Sequence, residues 1–110
     1  MPSDAELEVI AENPAIAQKR IREIAATSDR IKWSHHALDR MNEREIYDVD
    51  VLMALRSGTF GMRRSGRNEA SGSARYIIYR LRGSRDLGVV VIILKTDDLL
   101  VKTVEWEDLR

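Results

Sequence analysis

Cysteine is absent from this chain, so a disulfide framework and a thiolate metal site are both excluded. Histidine is scarce: His35 and His36 are the only two, and a zinc tetrahedron built on them would need carboxylates from elsewhere. No metal or other cofactor is expected. Long apolar runs are lacking as well. The longest, Leu87 to Leu94, falls far short of the about 20 residues a helix needs to cross a bilayer. The first residues, MPSDAELEVI, carry acids where a secretory leader would be basic, and the expected location is the cytoplasm. Nor is there a net charge, with 18 basic residues against 18 acidic ones, which argues against a protein that coats nucleic acid non-specifically.

What is present suits one compact domain: 110 residues, 44% hydrophobic and 33% charged. The charge is unevenly distributed. Between Gly58 and Arg85 stand Arg63, Arg64, Arg67, Arg75, Arg80, Arg82 and Arg85 against the single acid Glu69, while the segments on either side are acidic overall. A local basic patch attracts phosphate even on a neutral molecule, although a solvated loop and strand edge kept soluble by arginine would look the same.

The chain is organised around Ser34 to Arg44, SHHALDRMNER. Ser34 is a helix cap, and His36, Arg40 and Arg44 follow at i, i+4 and i+8, along one side of the helix. That row lies between an apolar stripe of Ala37, Leu38 and Met41 and an acidic one of Asp39 and Glu43. Two arginines one turn apart repel unless an anion sits between them. The anion could be a bound phosphate or carboxylate, or simply Glu43 and Asp48.

Around this helix the periodicity predicts an α+β fold. Ser3 and Glu6 have capping-box spacing for a helix from Asp4 to about Glu12. Asn13 and Pro14 cap a second, with Ala17, Ile21, Ile24 and Ala25 on one face. Residues 1–30 read as an N-terminal helical arm and 31–110 as the α+β domain, in one compact unit. Ile31 to Trp33 is extended, and Asp48 caps a further helix, from Val49 to Ser57, that Gly58 stops. From Thr59 the pattern turns to strands. Thr59 to Arg63 is followed by a loop over Arg64 to Gly72, and Ala74 to Arg82 is a strand covered on one side. Leu87 to Leu94 is a central strand covered on both, and Leu99 to Trp106 closes an antiparallel sheet of about four strands.

Ser34, His36, Ala37, Arg40, Met41, Arg44 and Ile46, followed by Asp50 and Val51, resemble the (S/T)xHAxxRMxxRxI…DV signature of the DUF4258 family of small prokaryotic proteins. The likeness continues through Leu87 to Leu94 and Thr103-Val104, covering roughly residues 31–106. That family is similar in layout to toxins of the RelE and BrnT type, in which N-terminal helices pack on an antiparallel sheet. The resemblance implies an endoribonuclease toxin that cleaves RNA without a metal. RNA would be its substrate and an antitoxin protein its partner, and a homodimer is a further expectation. This chain departs from such toxins in its neutral charge and in the extra histidine at position 35.

Metal-free RNA cleavage requires a base for the 2′-hydroxyl proton, cations for the charge that builds on phosphate, and an acid for the departing 5′-oxygen. His36 is the expected base, since an unperturbed imidazole titrates at about 6.5. Arg40 and Arg44 are the expected phosphate clamp, and Thr103 a hydrogen-bond donor from the last strand. Arg63, Arg64, Arg67 and Arg80 would guide the RNA backbone and Tyr76 would stack on a base. The alternative is a regulatory module that binds nucleic acid or a partner without catalysis.

Overall fold

A computed structural model describes residues 13–60, 67–69, 72–81 and 85–107. The helix expected between Asp4 and Glu12, like Arg63 and Arg64, lies outside them.

Helix α1 (Pro14–Ala25) begins where Asn13 and Pro14 place it. The Asn13 side-chain oxygen accepts from the N–H groups of Ala15 at 3.1 Å and Ile16 at 3.3 Å, while Pro14 has no N–H to satisfy. Its buried residues, Ala17, Ile21, Ile24 and Ala25, belong to the same apolar core as the sheet. A 3-10 turn (Ser28–Arg30) leads into β1 (Ile31–Trp33), then α2 (His35–Arg44) and α3 (Asp48–Ser57). The strands β2 (Thr59–Phe60), β3 (Arg67–Glu69), β4 (Gly72–Leu81), β5 (Arg85–Leu94) and β6 (Leu99–Trp106) complete the described chain. Among the described residues, no helix is long and apolar enough to cross a membrane.

The α+β class holds, and the sheet runs β1-β6-β5-β4-β2 with β3 also on β4. Its strand pairing differs from expectation in two ways. The sheet is mixed, because β1 pairs parallel with β6, Ile31 opposite Leu99 and Trp33 opposite Val101. The loop expected over residues 64–72 contains β3, whose Arg67 lies opposite Ala74. An Arg-Asn-Glu strand carries no apolar alternation, so nothing in its composition announces it.

Strand β5 is central, paired antiparallel with β4 and β6, and buried continuously from Leu87 to Ile93. On one face Leu87, Val89, Val91 and Ile93 meet the helices. The other face is also buried, since Val90, Ile92, Ala74 and Tyr76 are all at most 4% exposed. Strand β4 is therefore covered on both sides over this stretch, not on one.

Helix α3 starts one residue earlier than expected. Tyr47 holds the cap position and its N–H donates to Asp50 Oδ2 at 3.0 Å, while the Asp48 side chain accepts from Val49 N–H at 2.8 Å. Gly58 follows the helix at an ordinary φ of −72°, so its backbone does not demand glycine. Space does: a Cβ there would lie 2.5 Å from both the Ala54 carbonyl oxygen and Ile77 Cγ2.

Candidate functional site

The sequence of α2 fixes both of its ends against β6. Ser34 Oγ accepts from Ala37 N–H at 2.9 Å and donates to the Lys102 carbonyl at 2.7 Å, so one hydroxyl caps the helix and ties it to the strand. At the far end Glu45 turns the chain through the left-handed region, φ 56°, with its own N–H and that of Ile46 both on the Met41 carbonyl. There Trp106 Nε1 donates to the Arg44 carbonyl at 3.0 Å.

Strand β6 contributes a bulge. Val91 pairs with Val101 and Val90 with Thr103, which leaves Lys102 as an extra residue. This insertion lets Leu99 and Val101 share the core face with Val104 and Trp106, although the two pairs differ in parity. It also turns Thr103 and Glu105 to the opposite face. Ala37 and Met41 of α2 join the core, whereas His36, Arg40 and Arg44 share a cleft with Thr103 and Glu105, so the helix lies along the edge of the strand.

That cleft has a volume of about 230 Å³ and is lined by His36, Arg40, Arg44, Thr103, Val104 and Glu105. One water needs about 10–15 Å³ of such space, so the cleft has room for several waters or a phosphodiester. His36 is exposed, and Arg40 and Arg44 are half-buried. Arg40 Nη1 pairs with Glu43 Oε2 at 3.0 Å, so part of its charge is already answered by its own helix. Among the described residues, the Arg44 guanidinium has no ion pair. The four residues expected to act together, His36, Arg40, Arg44 and Thr103, thus open on one space.

Of the expected RNA-guiding residues, Tyr76 and Arg80 lie elsewhere. Tyr76 is 2% exposed and donates its hydroxyl to Glu105 Oε1 at 3.2 Å, so its ring is not available to stack on a base. Arg80 is exposed, but its Nε and Nη2 reach the two Asp86 carboxylate oxygens at 2.9 and 3.3 Å. It is not among the residues lining the cleft. The hydrogen bond from Arg80 holds the Asp86 carboxyl below its usual range, and the same bond raises the affinity of Arg80 for its proton. Arg67 stands in β3 opposite Ala74, in a paired strand where a loop was expected.

Glu105 is the cleft residue that sequence reasoning missed. The signal was present: once Thr103 faces the site, period-two alternation brings Glu105 to the same face. Arg75, also outside the site, is 1% exposed and lies 5.3 Å from the Phe60 ring centroid; burial lowers its affinity for a proton.

Fold and site together define a small α+β domain in which an edge-lying helix and a bulged strand enclose a cationic cleft. The chain belongs to the family described as a domain of unknown function, DUF4258, whose profile matches residues 33–106. The matched span runs from the end of β1 to the end of β6 and so contains every residue of the cleft. No curated protein and no solved structure matches the chain.

Proposed function

We propose that the cleft binds a phosphodiester of RNA and cleaves it by attack of the neighbouring 2′-hydroxyl, as in a ribonuclease toxin of a toxin-antitoxin pair. The observation that supports this is the convergence of His36, Arg40, Arg44 and Thr103, from two elements, on one open cavity of about 230 Å³. Each residue type matches a need of the reaction. The guanidinium forks of Arg44 and Arg40 take the phosphate oxygens and the charge that grows on them, and the Thr103 hydroxyl donates to a further oxygen. His36, exposed at the start of the helix, exchanges protons with the reacting oxygens. Phosphate entering the cleft displaces Glu43 from Arg40. An antitoxin partner would silence the domain by covering the same opening.

The second reading, a module that binds nucleic acid without cutting it, draws on the Arg40–Glu43 pair, which leaves Arg44 as the principal unpaired guanidinium of the row among the described residues. One assay separates the two. Purified wild-type chain is incubated with a mixed-sequence RNA in the presence of EDTA, beside His36→Ala. Cleavage leaving 2′,3′-cyclic phosphate and 5′-hydroxyl ends, lost in the variant, is the expected result. RNA that is bound but stays intact overturns the catalytic reading.

A further inference from the structure

Glu105 sits in the cleft as a carboxylate among cations, and the strands around it are shaped to hold it there. In β5, Gly88 is the register partner of both Glu105 in β6 and Ile78 in β4. A Cβ at Gly88 would collide with the Tyr76 hydroxyl and ring. Glycine at this position opens a passage across β5, through which Tyr76 of β4 reaches two strands over to donate to Glu105 Oε1 at 3.2 Å. The tyrosine is 2% exposed, so the donor of this contact is buried while its acceptor borders the cleft. A buried tyrosine, a gap cut for it and a carboxylate at its end form a positioning device for the second oxygen of Glu105, which is left for the cleft.

The two ties between α2 and β6 also fix the order of groups along the cleft. His36 follows Ser34, which is bonded to Lys102, by two residues; Glu105 immediately precedes Trp106, which is bonded to Arg44. His36 therefore stands toward the Ser34 end of the cleft and Glu105 toward the Arg44 end. In-line displacement at phosphorus places the attacking and leaving oxygens on opposite sides of the phosphate, and so needs its two proton-transfer groups apart.

We infer that Glu105 is the general base of the proposed cleavage, that His36 is its general acid, and that Tyr76 is the positioning residue for Glu105. This rests on the ribonuclease reading above and changes the role that the sequence suggested for His36. In the step, the 2′-hydroxyl proton passes to the Glu105 carboxylate and the 2′-oxygen forms its bond to phosphorus. The P–O5′ bond breaks with its electron pair on the 5′-oxygen, and that oxygen takes the proton of the His36 imidazolium. The products are a 2′,3′-cyclic phosphate and a 5′-hydroxyl. Glu105 leaves protonated and His36 neutral, and water resets both.

The test uses the full chain with Glu105→Gln, Glu105→Asp and Tyr76→Phe. Cleavage rates are followed against pH, and binding is measured to a 2′-O-methyl RNA oligonucleotide that cannot cyclise. Glu105→Gln should lower kcat about 100-fold or more and remove the acidic limb of a two-limbed pH profile. It should bind the oligonucleotide as tightly as wild type or more so, because a negative charge has left a cationic cleft. Tyr76→Phe, which loses one hydroxyl and keeps its packing, should lower kcat about tenfold at constant KM and displace the acidic limb. Should Glu105→Gln fail to fold, Glu105→Asp, with its carboxylate set back by one methylene, should retain the limb at a reduced rate. Wild-type rate in Glu105→Gln, or an acidic limb that survives it, overturns the base assignment while the ribonuclease reading stands. An unaltered pH profile in Tyr76→Phe overturns the positioning role. Wild-type protein that leaves RNA intact removes the reading and the acid–base pair together.

Discussion

Ser34 and Lys102 are joined by a 2.7 Å hydrogen bond from the serine hydroxyl to the lysine carbonyl, at the point where β6 bulges and α2 begins. Because the same oxygen caps α2, Ser34→Ala should cost about 1–2 kcal/mol in chemical denaturation. Ser34→Asp restores the cap but has no proton for Lys102. It should recover only the capping part of the stability in the same assay, with the remaining deficit reporting the tie to Lys102.

Arg44 faces the cleft without an ion pair among the described residues, so its charge contributes little to the fold. Arg44→Ala should change unfolding free energy by no more than about 0.5 kcal/mol. RNA binding followed by fluorescence anisotropy across a salt series should weaken, with the salt slope reduced by about one. Strong destabilisation would instead mark Arg44 as a structural residue.

Arg40 is partly engaged by Glu43 at 3.0 Å. Glu43→Gln releases the guanidinium, and an exposed pair of this kind is worth about 0.2–1 kcal/mol. Affinity for RNA should rise up to about fivefold at low salt in the same anisotropy assay, and the gain should vanish in the double variant with Arg40→Ala.

Asp86 is held below its usual carboxyl value by the hydrogen bond from Arg80. A carboxyl lowered in the folded state binds fewer protons there than in the unfolded chain, so its contribution is present above the unfolded value and disappears as pH falls through the folded one. Asp86→Asn should therefore be less stable than wild type near neutrality and converge with it in acid, measured by thermal melts across pH.

The α2 and β5 elements were legible because their signals are local: a serine cap followed by period-3.6 burial, and an uninterrupted β-branched run. His36, Arg40 and Arg44 could be placed on one stripe for the same reason. What sequence left hidden depends on pairing between distant segments. The bulge at Lys102 shows only when β6 is set against β5, and the parallel bond of β1 with β6 joins residues about 70 apart in the chain. The full burial of Tyr76 was not legible because alternation tells which face a residue is on, not whether that face is covered. The hold of Tyr76 on Glu105 stayed hidden because it is made across an intervening strand.

Strand β5 has one more consequence. Its stretch from Leu87 to Leu94 carries no charge and no proline, and its backbone is satisfied only because β4 and β6 flank it. Unfolded chains expose this segment to one another as a template for cross-β assembly. Heating is expected to end in precipitate rather than a recoverable coil, with Arg80, Arg82 and Arg85, just before it in sequence, as the charges that slow it.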